Sequence, residues 1–213
     1  MAQTMAVWAL PVLFAFTGHA IAMSQAAWRL GDRSPELRER LSWNPLKHVD
    51  PVGTVVVPLL LITMGGFIIG WPKPVPLNPA AFRNPRKDLA LTSIAAEASN
   101  LVMAFVWAVV LKFAASQGES EGLWLGVASM AMAGVTINLI FMLFGLLPIP
   151  GFAGGHVVGA LLPRHLAYRW YAAQNMTMIV LLLLMVTGIF GVIIGPPYLA
   201  LRTFVLGVVG VAA

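Results

Sequence analysis

Apolar residues in this chain fall in long runs separated by short loops that are basic or rich in Pro and Gly. Four runs, 6–23, 89–111, 123–147 and 176–195, are long enough to cross an apolar layer of about 30 Å as helices. A fifth, 198–211, is short and carries Arg202 near its start, where the side chain can snorkel outward. It reads as a tilted last span or an interfacial helix. The run 52–70 is apolar enough to span, but Val55, Val56 and Val57 are β-branched, Pro58 interrupts the backbone, and Gly53, Gly65 and Gly66 bracket it.

The charges decide how 52–70 is used. The loop before it holds Arg29, Arg33, Arg38, Arg40 and Lys47; the loop after it holds Lys73, Arg83, Arg86 and Lys87. A single crossing would put these two basic loops on opposite sides of a membrane, against the positive-inside bias. A segment that dips in and returns keeps both cytoplasmic and leaves 116–122, with Glu119 and Glu121, outside. Non-helical backbone at that depth is tolerated only under cover of protein, so the segment is expected to pack against the helices.

Composition fixes the class. Of 213 residues, 59% are hydrophobic and 10% charged, against a charged share of about 25% in soluble domains. The expected fold is an all-α integral membrane protein with five to six hydrophobic segments, including a re-entrant β-rich segment at 52–70. With no internal repeat or linker, it reads as one domain over 1–213, in a bacterial cell membrane. The absence of Cys excludes disulfides, thiolate metal sites and a Cys nucleophile. A net charge of +5 suits loops lying against anionic lipid, so membrane lipid is the expected partner and nucleic acid is not. Residues 6–16 followed by Ala20-Ile21-Ala22 have the outline of a signal peptide, but no Lys or Arg precedes Arg29, and the stretch is read as a retained span.

Several strings resemble the site-2 protease family, the intramembrane zinc metalloproteases. The run from His19 to Asp32, ending Leu30-Gly31-Asp32, resembles the family's H-E-x-x-H helix and the Leu-Gly-Asp that follows. Asn44-Pro45-Leu46-Lys47-His48-Val49-Asp50-Pro51 resembles its polar loop, and Gly70-Trp71-Pro72-Lys73-Pro74 and Arg83-Asn84-Pro85-Arg86 resemble the next one. Leu146-Leu147-Pro148-Ile149-Pro150 precedes the place of the family's Asp-Gly. The similarity runs over nearly the whole chain and implies a helical membrane fold with a re-entrant segment between the first two full spans.

The resemblance also shows what is missing. In H-E-x-x-H the two His share a helix face and bind Zn²⁺, while the Glu activates the metal-bound water. Here the Glu position is Ala20, the second His is Met23 and the third ligand, an Asp, is Ala153. A methyl group takes no proton, and a thioether suits copper(I) better than zinc. Only His19 is retained. The family's Ala-Gly-Pro stands as Ala95-Ala96-Glu97, and the Asn expected before Leu-Leu-Pro is Gly145. Asn100 and Asn138 stand where the family has substrate-facing amides; their plainer reading is hydrogen bonding between helices. His156, three residues after Ala153, can share its helix face and is a weaker candidate as a substitute ligand. Glu97 is an ionisable group within a span and therefore a functional candidate. His48 and Asp50 read as caps and braces of the polar loop.

Other catalytic classes fail for lack of residues. Ser93 and Ser99 have no His partner that spacing can place, and no Asp pair lies within the spans. A small transporter built on Glu97, Asn100 and Asn138 stays a further alternative, although no duplicated half supports it. The leading expectation is a pseudoprotease that binds transmembrane or membrane-proximal segments without cleaving them, with no catalytic residue intact, no zinc and no other cofactor. The alternative is an active zinc metalloprotease with substituted ligands, or an enzyme inactivated by deliberate replacement.

Overall fold

The computed structural model describes residues 2–56, 72–117 and 122–211. Its main elements are α1 (Ala2–Leu30), α2 (Pro35–Glu39), α3 (Pro85–Ser116), α4 (Leu123–Gly145), α5 (Ala153–Leu161), α6 (Arg164–Ala172), α7 (Thr177–Val186) and α8 (Ile189–Val209). Among the described residues five helices are long and apolar enough to cross a membrane: Ala6–Leu30, Pro85–Ser116, Leu123–Gly145, Arg164–Val186 and Ile189–Val209.

Local chemistry sets these helices up. Pro85 occupies the first turn of α3, where its missing N–H costs nothing, and Asp88 Oδ2 reaches back to accept from Asn84 N at 2.8 Å. Within α1, Thr17 and Ser24 donate to the carbonyls of Leu13 and Ala20 one turn back, which satisfies their hydroxyls inside an apolar span. On α3 the exposed residues Val102, Val106, Val109 and Phe113 recur at helical spacing. Such a stripe suits lipid and would be an error in water. The opposite face packs Ala104, Trp107, Ala108 and Leu111 against Val135, Leu139 and Met142 of α4 and Val205 and Leu206 of α8. Alanine at 104, 108 and 131 lets the backbones approach closely.

The last third of the chain corrects the sequence reading. The run expected as one span over 176–195 is divided at Gly188, whose φ of 73° no other residue adopts cheaply. Helix α7 belongs with α6, and residues expected as a separate short segment, 198–211, continue α8, which carries Pro196 and Pro197 in its interior. Hydropathy could not mark the break because both sides of Gly188 are equally apolar.

The run 52–70 is tested only at its start. Pro51–Val56 is a π-helical turn, not a strand, with Asp50 Oδ1 accepting from Val52 N and Gly53 N; 57–70 lie outside the described residues, and among the described residues there is no strand. The loops on either side of that run are, however, tied to each other. Lys73 N donates to His48 O at 2.9 Å, Arg40 Nη2 to Pro74 O at 3.2 Å, and Asn78 N to Asp32 Oδ2 at 2.7 Å. His48 is fully buried, its Nε2 2.8 Å from Ser42 O, and with Asp50 it braces the loop as expected. The chain thus leaves the end of α1 and returns to the start of α3 at one end of the bundle. Because the chain has no Cys, single cysteines at Trp43, Pro76 and Gln117 give a clean labelling test. An impermeant thiol reagent is expected to find the first two on one side of the membrane and the third on the other. Labelling of Trp43→Cys and Pro76→Cys from opposite sides would contradict the arrangement.

Candidate functional site

Helices α1, α3 and α5 enclose the candidate site. His19, Ala20 and Met23, within about one turn of α1, line a cavity of about 420 Å³ together with His156 of α5, Gln174, Leu89 and the extended strap that includes Pro72, Lys73 and Pro74. Their spacing explains the convergence of His19 and Met23, since residues four apart share a helix face. His156 arrives because Gly155 lets α5 sit on the preceding turn: a Cβ there would come within 1.9 Å of Ile149 O. Ala153, three residues earlier, is buried at the start of α5 and is not among the cavity-lining residues. The cavity therefore gathers His19, Ala20, Met23 and His156, and leaves Ala153 beside it.

A polar network stands behind the two imidazoles. Asn100 Nδ2 lies 3.2 Å from His19 Nδ1 and donates to Glu97 Oε2, also at 3.2 Å. Ser93 Oγ lies 2.8 Å from His156 Nδ1 and donates to Leu89 O at 2.9 Å. The Ser93–His156 pairing joins residues 63 apart in sequence, and spacing alone gave no means of finding it. It does not make a serine hydrolase: Ser93 is buried and does not line the cavity. Asn100 and Asn138 are fully buried and line no part of the cavity; Asn138 donates to Gly134 O within its own helix, at 2.8 Å. The amide oxygens of both have no partner among the described residues.

Glu97 explains Gly145. A Cβ added at Gly145 would stand 1.9 Å from Glu97 Oε1 and 2.3 Å from its Cδ. The carboxyl group of Glu97 occupies the space that any side chain at 145 would need, so the two departures noted in sequence are one exchange of volume between facing helices.

No family model matches the chain, and no solved structure matches it. Curated relatives do. The "Putative zinc metalloprotease YwhC" of Bacillus subtilis (strain 168) is 32% identical over 199 residues, covering 92% of this chain and 88% of that protein. This chain belongs to the site-2 protease family. Two proteins named "Putative zinc metalloprotease Rip2" are also similar. That of Mycolicibacterium smegmatis is 33% identical over 74% of this chain, and that of Mycobacterium tuberculosis H37Rv is 28% identical over 71%. The chain spans about half the length of the Rip2 proteins, 55% and 54%.

Within this site-2 protease frame, the residues present do not fit the family's zinc. Among the described residues no three His, Asp or Glu side chains come together, and the cavity's metal-capable donors are two imidazoles and a thioether. A catalytic zinc normally takes three nitrogen, thiolate or carboxylate ligands from the protein. Among the described residues no carboxylate lines the cavity to serve as general base, and Glu97 lies behind Asn100, turned toward Gly145.

Proposed function

We propose that this site-2 protease homologue is a pseudoprotease that holds transmembrane or membrane-proximal segments without cutting them. The observation that carries the reading is the cavity itself. It is lined by His19, Ala20 and Met23, the positions at which the family resemblance puts H-E-x-x-H, and the two that would move protons and complete the metal's His pair are Ala20 and Met23. Pro72, Lys73, Pro74, Val75 and Leu77 of the strap form one wall, an extended backbone that belongs to no strand among the described residues. An unwound segment of a guest helix could pair with that backbone, the mode by which extended peptides join exposed edges. Asn100 and Asn138, at positions where the family resemblance implies substrate-facing amides, are fully buried and stand behind the cavity lining, so the guest is held by the lining itself. The setting proposed is a bacterial cell membrane.

A second reading, an active zinc metalloprotease with substituted ligands, draws on the names of the relatives and on His156 joining His19 at one cavity. Reconstitution separates the two. In nanodiscs, a labelled single-span peptide containing a helix-breaking pair is expected to bind saturably and to be recovered uncut with or without added zinc. Cleavage that a chelator abolishes would establish the second reading, and failure of any span to bind would overturn the first.

A further inference from the structure

We propose that His19, Met23 and His156 form a copper(I) site within the cavity. The argument begins with the donor inventory. His19 and Met23 reach the cavity from one face of α1, and His156 reaches it from α5. The rest of the lining, with Lys73 and Gln174 as its longest polar side chains, contributes no carboxylate, and the chain has no thiolate to offer. Hard cations that require oxygen ligands have no set to bind. A neutral thioether is a poor zinc ligand, whereas imidazole with thioether is a combination that selects copper(I).

Charge points the same way. With alanine at 20 and 153, no anion at the cavity offsets a dication, and the penalty for burying an ion scales with the square of its charge, so a monocation costs about a quarter as much. With the Lys73 ammonium in the same lining, a neutral three-donor set accommodates a single positive charge better than two.

The His156 ring is also held as metal-binding rings are held, by a hydrogen bond at its Nδ1. Ser93 stands at His156 Nδ1, and its own proton goes to Leu89 O, so Nδ1–H can donate to Oγ and leave Nε2 as the bare nitrogen. Asn100 stands at His19 Nδ1. Its Nδ2, which also donates to Glu97 Oε2, fixes the position of that ring edge. Neither Nε2 has a hydrogen-bond partner among the described residues.

The test uses the full chain in detergent, stripped with chelator and titrated anaerobically with copper(I) against a chromophoric copper(I) chelator. The parent is expected to withdraw one equivalent. Met23→Leu nearly conserves volume and keeps the fold, so it is the deciding variant; it is expected to weaken binding about tenfold or more and to remove the copper–sulfur shell from the X-ray absorption spectrum. His156→Ala is expected to weaken binding likewise, and Ser93→Ala, which removes only the support, about tenfold. Met178→Leu, at an exposed position on α7, is expected to change nothing. The proposal is overturned if the parent leaves copper(I) with the chelator, if Met23→Leu binds as tightly as the parent, or if the parent prefers zinc under the same competition.

Discussion

The variant Ala20→Glu/Met23→His/Ala153→Asp is expected to hold one equivalent of zinc through gel filtration in mild chelator, where the parent holds far less. His19 and a His at 23 lie on one face of α1 and point into the same cavity as His156, so the replacements complete a ligand set and add a carboxylate at the position of the general base. The gain should also appear as stability. Without metal, new carboxylates in an apolar setting are costly, and ligand binding stabilises by mass action, by roughly 3 kcal/mol at a hundredfold excess over Kd. The thermal midpoint is therefore expected to rise on adding zinc and to fall in chelator. Activity is expected to stay low, because a catalytic arrangement tolerates only about 0.5 Å of misplacement and Ala153 stands beside the cavity instead of in its lining. Comparing the triple variant with Ala20→Glu/Met23→His identifies the third ligand: retention of zinc without the Asp assigns it to His156. A folded triple variant with neither zinc nor zinc-dependent stability would show that positions 19, 20, 23 and 153 do not converge on a metal.

The second large effect is expected at Gly145. Restoring Asn there drives a side chain into the carboxyl group of Glu97, and Gly145→Asn alone is expected to cost about 3 kcal/mol, as overpacking of a close helix contact does. Combined with Glu97→Ala the same replacement is expected to be tolerated, with a coupling energy on the order of 2 kcal/mol in a double-mutant cycle. Additive effects would mean that Glu97 can swing clear and that the exchange of volume is incidental. Unfolding in detergent, followed by a probe that does not depend on ligand, measures all four corners of the cycle.

These cases mark what the sequence makes legible. The first three spans are plain because a run of twenty apolar residues has almost no other use, and the structure departs from them mainly at the ends. The turn at Gly188 is hidden because a left-handed glycine between apolar runs leaves no polar signal. At the site, the sequence identifies Ala20 and Met23 as vacant positions, and spacing brings His156 into view as a neighbour of Ala153. That His156 lines the cavity while Ala153 does not depends on how α5 is seated against the turn before it. Ser93 stays out of reach, since its contact with His156 is created wholly by the packing of α3 on α5. Glu97 and Gly145 are each visible as departures, and a signal was present in their sizes, large for small at one position and small for large at the other. Their shared space needs two helices to be placed.

The ties between the basic loops have a consequence for how the protein is made. Asp32, Arg40 and His48 leave the ribosome well before Lys73, Pro74 and Asn78, and wait for partners that arrive after the intervening apolar stretch has met the membrane. If that stretch were threaded straight across, the partners would emerge in the wrong compartment and the buried groups of the first loop would stay unpaired. These three hydrogen bonds close only when both loops reach the same end of the bundle, and with the loops parted His48 O, Arg40 Nη2 and Asp32 Oδ2 would each lose that partner.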